Sequence, residues 1–394
     1  MKKFIALFLA LGFLFSLSIF GSVGSARAAE TIKMGALLDM TGAVAFLGPL
    51  FKNGITFALE EVNYTVGGKK IELIIEDTAN DMNVTVEHAK KLVEMDKVHI
   101  IIGPLMGDTH NAVSPYLAGK KVVSTVLHSG TIELVKYKSW LIYPSTLEGL
   151  TLPLGYYAAD RGHKTMVTVG ADYAGSHGFI QGIKLGFESK GGTVIQQLWP
   201  PVGVLDYGPY LSNLKKADCI GYFGESPSVD QRFVAQYREF GVKTPVYVAV
   251  ADGCLPEQVL GELGNASLGF KGQVTYVTDR KDSINEKWVK DMTKRFGQVP
   301  GGMESNAYTL TKAVLAGLKA TGGDDSFDKL WPACLKVKMN TPQGPLEFSP
   351  EGVAVINGYI AEVKNKGSRY FWDPIKTYEK VTDTRLESQK AKKK

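Results

Sequence analysis

The chain has 394 residues, with 45 Lys+Arg against 40 Asp+Glu, 44% hydrophobic and 22% charged residues, 43 Gly and 17 Pro. That length allows two or three domains, and the apolar and charged content excludes a disordered chain, a collagen and a coiled coil. The formal charge of +5 raises nucleic acid or an anionic membrane as partners, so its distribution matters.

The basic Lys2 and Lys3 open the chain, an apolar run follows from Phe4 to Phe20, and small residues lead to Ala26-Arg27-Ala28. These are the parts of a secretory signal peptide, with cleavage expected near Ala28. At the other end Lys390, Lys392, Lys393 and Lys394 read as a solvated tail. Residues 1–28 carry three basic and no acidic residues, so without them the balance is 42 to 40, and without the four lysines 38 to 40. A near-neutral body removes the main support for nucleic-acid binding. Cys219, Cys254 and Cys334 are an odd set without C-x-x-C spacing, so no disulfide, redox motif or zinc site is expected.

Short β-rich runs alternate with amphipathic helical stretches along the rest of the chain. Residues 32–38 read as a strand. Phe51, Ile55, Leu59 and Val62 then give one buried helix face. Residues 71–75 form a second strand, Val86, Ala89, Leu92 and Val93 a helix, and 98–102 a third strand. The pattern restarts near residue 145, with strands at 166–169, 193–198, 219–223, 246–250 and 274–277. Helices lie between them. Helices near 285–296, 304–320 and 326–337 precede two closing strands near 346–348 and 354–363. Wholly apolar strands alternating with helices signal parallel sheets covered on both faces, an α/β fold.

Ligands of such sheets bind at the carboxyl ends of strands. The loops there are 39–42, 104–109, 127–131, 171–176, 224–227 and 251–254, each carrying Gly beside hydroxyl or acidic residues. An enzyme is not expected. Gly224-Glu225-Ser226-Pro227-Ser228 misses the G-x-S-x-G elbow at its last residue, and Pro227 obstructs the required turn. No short-range metal-ligand spacing, P-loop or G-x-G-x-x-G is present, so no metal and no cofactor is expected.

The order and spacing of several segments resemble the type I periplasmic solute-binding proteins of ABC importers, in the branched-chain amino-acid (Leu/Ile/Val) branch. The segments are Ile32-Lys33-Met34-Gly35, Met40-Thr41-Gly42 with Gly48, Asn53-Gly54 through Glu61-Val62-Asn63, Glu76-Asp77-Thr78, Ile102-Gly103-Pro104, Asp172-Tyr173-Ala174-Gly175 and Gln343-Gly344-Pro345-Leu346. The resemblance spans about residues 31–365. It implies a two-lobed fold joined by three hinge crossovers, each lobe a mainly parallel sheet flanked by helices. Lobe one would take 29–144 plus 277–348, lobe two 145–276 plus 349–380, and 381–394 would be a basic tail.

It further implies a periplasmic monomer that traps a small solute, an amino acid or related acid or amide, by hinge closure and passes it to membrane permease subunits. A sensor for amides or aromatic acids on the same fold is the alternative. Carried over position by position, the ligand site would comprise Phe46, Leu47, Met106, Gly107, His128, Ser129, Thr131, Tyr173, Glu225 and Asp252. Phe46, Leu47, Met106 and Tyr173 would form an apolar wall, Ser129 and Thr131 would meet the ligand's polar head, and Asp252 would receive an ammonium.

Overall fold

The computed structural model describes residues 31–386 apart from Ala43 and Ser129. The expected export signal, the four terminal lysines and the Ser129 assignment therefore lie outside the described residues. The first series of elements is β1 (Ile32–Leu38), α1 (Leu47–Glu60), β2 (Thr65–Val66), β3 (Lys69–Asp77), α2 (Met82–Lys90), β4 (Ile100–Ile102), α3 (Gly107–Gly119), β5 (Val123–Val126) and β6 (Trp140–Ile142). The second is α4 (Leu147–Asp160), β7 (Thr165–Gly170), α5 (Ala174–Ser189), β8 (Thr193–Leu198), α6 (Gly208–Ser212), β9 (Cys219–Phe223), α7 (Pro227–Glu239), β10 (Val246–Val248), α8 (Ala251–Cys254), α9 (Glu257–Leu263) and β11 (Lys271–Val274). The chain closes with α10 (Ser283–Phe296), α11 (Gly302–Ala320), α12 (Phe327–Leu335), β12 (Lys338–Thr341), β13 (Gly344–Phe348), β14 (Ala354–Lys366) and β15 (Arg369–Val381).

Two sheets result. The first has the order β2-β3-β1-β4-β5-β6, parallel from β3 to β6. The second runs β12-β13-β14-β11-β10-β9-β7-β8, with β15 on β14, and is parallel from β8 to β11. Each parallel run places its second strand outside its first, so strand order reverses once in each sheet. Such a reversal opens a crevice at the strands' carboxyl ends.

The cores separate accordingly. One cluster draws on residues from Leu147 to Val277 and again on Tyr359, Ile360, Ala361 and Val363. The other draws on Ile32 to Tyr143 and Ala307 to Ile356. The chain therefore passes between cores after β6, after β11, and within β14, whose pairing with β15 shifts register between Ile356 and Gly358. Ile100, Ile101 and Ile102 are all buried, and full burial of such a side chain is worth about 1.5–3 kcal/mol. Among the helices, α4 and α5 approach backbone to backbone. A Cβ on Gly155 would lie 2.1 Å from the Ile183 carbonyl oxygen, and one on Gly186 2.2 Å from that of Leu152, so neither position tolerates a side chain without moving a helix.

Three expectations shift. The strand expected at 274–277 is Lys271–Val274, because the Thr275 and Tyr276 amides leave the ladder for the Asp252 carboxylate. The β12 strand is four mostly polar residues and β15 carries exposed charges, so neither was legible as a strand. Residues 381–386, expected to begin a solvated tail, are docked: Asp383 is 0% exposed and Leu386 is buried.

Candidate functional site

In the first lobe β1 lies between β3 and β4, so the loops after β1, β4 and β5 surround the reversal point. Two strand-end acids hold the loop after β1. Asp77 accepts hydrogen bonds from the amides of Met40 (2.9 Å), Thr41 (3.2 Å) and Ala79 (2.9 Å) and from the Thr41 hydroxyl (2.7 Å). Burial pushes its carboxyl up, but these bonds outweigh that and hold it below the usual range. Asp39, buried, accepts from the Thr78 hydroxyl and the Asn80 amide. The loop then delivers Leu47 into the core beside Phe51, while Phe46 is 65% exposed. Leu47 is a packing residue because α1 begins there and turns it inward, and Phe46 faces solvent.

After β4, Met106 is the extended residue before α3 and the helix has no side-chain cap. The first amides of a helix lack intrahelical partners, so those of Gly107, Asp108 and Thr109 face outward at the positive end of the helix dipole, where an anion is favoured. After β5, burial pushes the His128 imidazole down to about 4, so it is neutral at pH 7, and its ring lies 6.4 Å from that of Phe51. The Thr131 hydroxyl oxygen is buried with no hydrogen-bond partner. These residues share the carboxyl end of the first sheet as a candidate half-site, with amide and hydroxyl donors beside the His128 ring.

The second half-site repeats the geometry after β7, β9 and β10. Tyr173 is the extended residue before α5 and is 37% exposed. Burial pushes its hydroxyl up, and the nearby Cys254, Glu225 and Asp230 add to the shift, so all four groups lie together. Behind Tyr173, the Asp172 carboxylate meets His177 at 2.9 Å and the His177 ring stacks on Trp199 at 3.8 Å. Glu225 accepts the Gly203 amide on Oε1 at 2.5 Å and leaves Oε2 buried without a partner.

Asp252 has a different employment from the one expected. Its carboxylate accepts from the Thr275 amide (2.9 Å), the Thr275 hydroxyl (2.6 Å) and the Tyr276 amide (3.2 Å), fastening β10's end to the crossover after β11. Burial raises its pKa against those hydrogen bonds. The preceding Val250, β-branched with φ 45°, is held in a conformation that costs about 1–3 kcal/mol. From Thr275 the chain of bonds continues. The Gln343 amide donates to the Thr275 carbonyl (3.2 Å) and to Asn306 Oδ1 (2.8 Å), and the Asn306 amide donates to the Leu127 carbonyl (3.0 Å), next to His128. One hydrogen-bonded path thus links the two half-sites through the hinge. Asp252→Ala is expected to cost about 2 kcal/mol in urea denaturation by stranding buried donors, while a solute that shifts the wild-type melt shifts the variant's equally. Unchanged stability with lost binding would instead make Asp252 a ligand contact.

Sequence reasoning missed Asp39, Asp77, the Gln343–Asn306 link and Asp230. For Asp230 the signal is in the spacing. It stands three, four and seven residues before Phe233, Val234 and Tyr237, on the buried stripe of α7. Among the described residues no group of three His, Cys, Asp or Glu is placed to hold a metal, and no helix is long and apolar enough to cross a membrane. The three cysteines are buried thiols.

Comparison with known proteins places this geometry. The family model described as periplasmic binding protein matches residues 31–368. The Leu/Ile/Val-binding protein homolog 6 of Brucella suis biovar 1 (strain 1330) is 26% identical over 384 residues, covering 95% of this chain and 98% of its own. An ABC transporter substrate-binding protein from Sphaerobacter thermophilus superposes with a TM-score of 0.85 at 26% identity, over 90% of this chain and 99% of that one. The solute-binding protein of an ABC transporter from Rhodopseudomonas palustris BisB5, in complex with 3,4-dihydroxy benzoic acid, superposes with a TM-score of 0.80 at 28% identity over 90% and 99%.

Proposed function

Because this chain belongs to the periplasmic binding protein family, in its Leu/Ile/Val-binding branch, we propose that it captures a small carboxylate-bearing solute between its lobes and delivers it to the membrane permease of an ABC importer. A strand-order reversal in each sheet, with three chain passages between the two cores, carries this reading. The solute's carboxylate would sit on the outward amides at the start of α3 beside Thr131, and its apolar body between His128 and Tyr173. An amino acid and an aromatic acid both have that form. The ligand must touch both lobes, because only differential affinity for the closed form drives closure. Export would proceed with cleavage near Ala28, giving a monomer in the periplasm.

The test is native mass spectrometry of the purified protein for a co-purified small molecule, followed by thermal shift against aliphatic, aromatic and cationic amino acids and aromatic acids. A solute at 100 times its dissociation constant adds about 2.7 kcal/mol of stability. No co-purified molecule and no shift with any panel member would overturn the proposal.

A further inference from the structure

Three carboxylate oxygens in the second lobe lack a close hydrogen-bond partner among the described residues. They are Glu225 Oε2 and both oxygens of Asp230, all buried and none with a hydrogen bond of good geometry. Asp230 is 0% exposed. Its carboxyl lies against Gly224, the first residue after β9, so closely that a Cβ there would fall 1.6 Å from Oδ1. A side chain at that position would collide with the carboxyl, so only glycine lets it lie against the loop at the strand's end. The other polar groups facing it are the Tyr222 hydroxyl from β9 and the Cys254 thiol from α8, donors that lower its pKa, and the Glu225 carboxylate from the loop, which raises it. Tyr222 in turn meets the Tyr207 hydroxyl at 3.3 Å, and Tyr173 closes the group from the β7 side. No cation is among the groups acting on Asp230.

The Tyr222 and Cys254 contacts do not outweigh burial, which pushes the Asp230 carboxyl up to about 8, as expected for a buried acceptor short of close donors. The carboxyl keeps a proton that a stronger donor would displace.

We propose that Asp230 is a specificity-determining residue of the second half-site, where with Glu225 Oε2 it takes the hydrogen-bond donor end of the solute, an ammonium or a phenolic hydroxyl. This rests on the solute-binding reading above and extends it: the first lobe supplies donors for a carboxylate, and the second supplies acceptors for the solute's own donor, the ammonium beside the carboxylate in an amino acid or the hydroxyl across the ring in 4-hydroxybenzoate. A site built to hydrogen-bond a solute group rejects the analogue lacking it, because its own buried polar atoms are then left unpaired.

The experiment has a solute arm and a solute-free arm. Isothermal titration of the full mature chain uses L-leucine, 4-hydroxybenzoate and benzoate, with Asp230→Leu and Asp230→Asn as variants. A donor-bearing probe is expected to bind the wild type at least about tenfold more tightly than benzoate, and Asp230→Leu to erase that preference. Equal affinity for 4-hydroxybenzoate and benzoate with no binding of leucine, or a preference that survives Asp230→Leu, overturns the proposal. The two donors are told apart by pH. An ammonium favours the ionised acid, so leucine binding expels the proton and tightens by up to about tenfold per unit as pH rises from 6 to 8. A phenolic hydroxyl is accepted by the neutral acid, so its affinity stays flat over that range.

The solute-free arm reads the proton directly. Asp230 holds it in the folded protein up to about pH 8, whereas an unfolded aspartate loses it near 3.9. The stability this gives is therefore complete below about pH 4 and declines as pH rises toward 8. The wild-type melting temperature is expected to fall across that window relative to Asp230→Asn, which cannot titrate. Parallel curves would overturn the held proton, even if Asp230→Leu fails to fold. Absence of heat with every probe counts against the solute reading, and the melting curves then decide Asp230 by themselves.

Discussion

Arg385→Ala is expected to lower stability by about 3 kcal/mol, the lower end of the range for breaking a buried ion pair, because Asp383 is buried while Arg385 and Glu148 are partly exposed. The guanidinium is shared between two acids. It meets Glu148 through both terminal nitrogens, at 2.8 and 2.6 Å, and Asp383 through Nε at 3.0 Å and Nη2 at 2.6 Å. Asp383 also accepts the Thr146 hydroxyl at 2.6 Å. Thr146 lies in the first crossover and caps α4 through the Gly149 amide, and the neighbouring Leu386 packs in a first-lobe core cluster with Trp140 and Val353. The segment 383–386 therefore straps the end of the chain across a hinge strand. Without the arginine, the two carboxylates face each other.

Urea denaturation of the two proteins measures the loss, and a value below 1 kcal/mol would contradict this account. Arg385→Lys should recover only part, since an ammonium cannot reproduce the fork. The acid side has a defined sign. Burial pushes Asp383 up, but Arg385 and Thr146 outweigh it and its carboxyl is held below the ordinary value. Its contribution is present above the unfolded value near 3.9 and is lost as pH falls through the folded one. That acid-labile component should be absent from Arg385→Ala.

Phe233→Ala is expected to cost a similar amount, about 3–5 kcal/mol, because a fully buried aromatic leaves a large void. Its ring stacks on Tyr222 at 3.8 Å with 9° between planes, and meets Tyr207 edge-on at 5.2 Å. Those two tyrosines stand behind Asp230 and Tyr173, so the void opens under the second half-site. Solute affinity of the folded variant should therefore fall as well. Phe187→Ala serves as the control: Phe187 is equally buried but lies fourteen residues beyond Tyr173, about 20 Å along a helix rising 1.5 Å per residue. It should lose comparable stability in denaturation and keep wild-type affinity in titration. Equal affinity losses in both variants would show that the effect is general loosening.

The strands and helices that carry the half-sites were readable because their signal is local. Val246-Tyr247-Val248 is continuously apolar, and Val229, Phe233, Val234 and Tyr237 recur at helical spacing, whatever lies elsewhere in the chain. β15 was not readable because one face is solvated and charged, with Lys376, Glu379 and Lys380 exposed, and its pairing with β14 depends on a hairpin rather than on a periodic core face. Whether Leu47 turns to the core or to the cleft was not readable, because only the start of α1 decides it.

The sequence by itself determined that short apolar strands alternate with amphipathic helices and that polar, glycine-bearing loops fall at strand ends, since those features follow from the periods of a strand and a helix. Only the tertiary structure decided which acids are free. Asp252 and its partner Thr275 are 23 positions apart, Arg385 and Glu148 are 237 apart, and no local pattern records such pairings. A carboxylate near a strand end is most available to a solute when distant chain has not already supplied its donors, and Asp252 has three such bonds where Glu225 Oε2 has none.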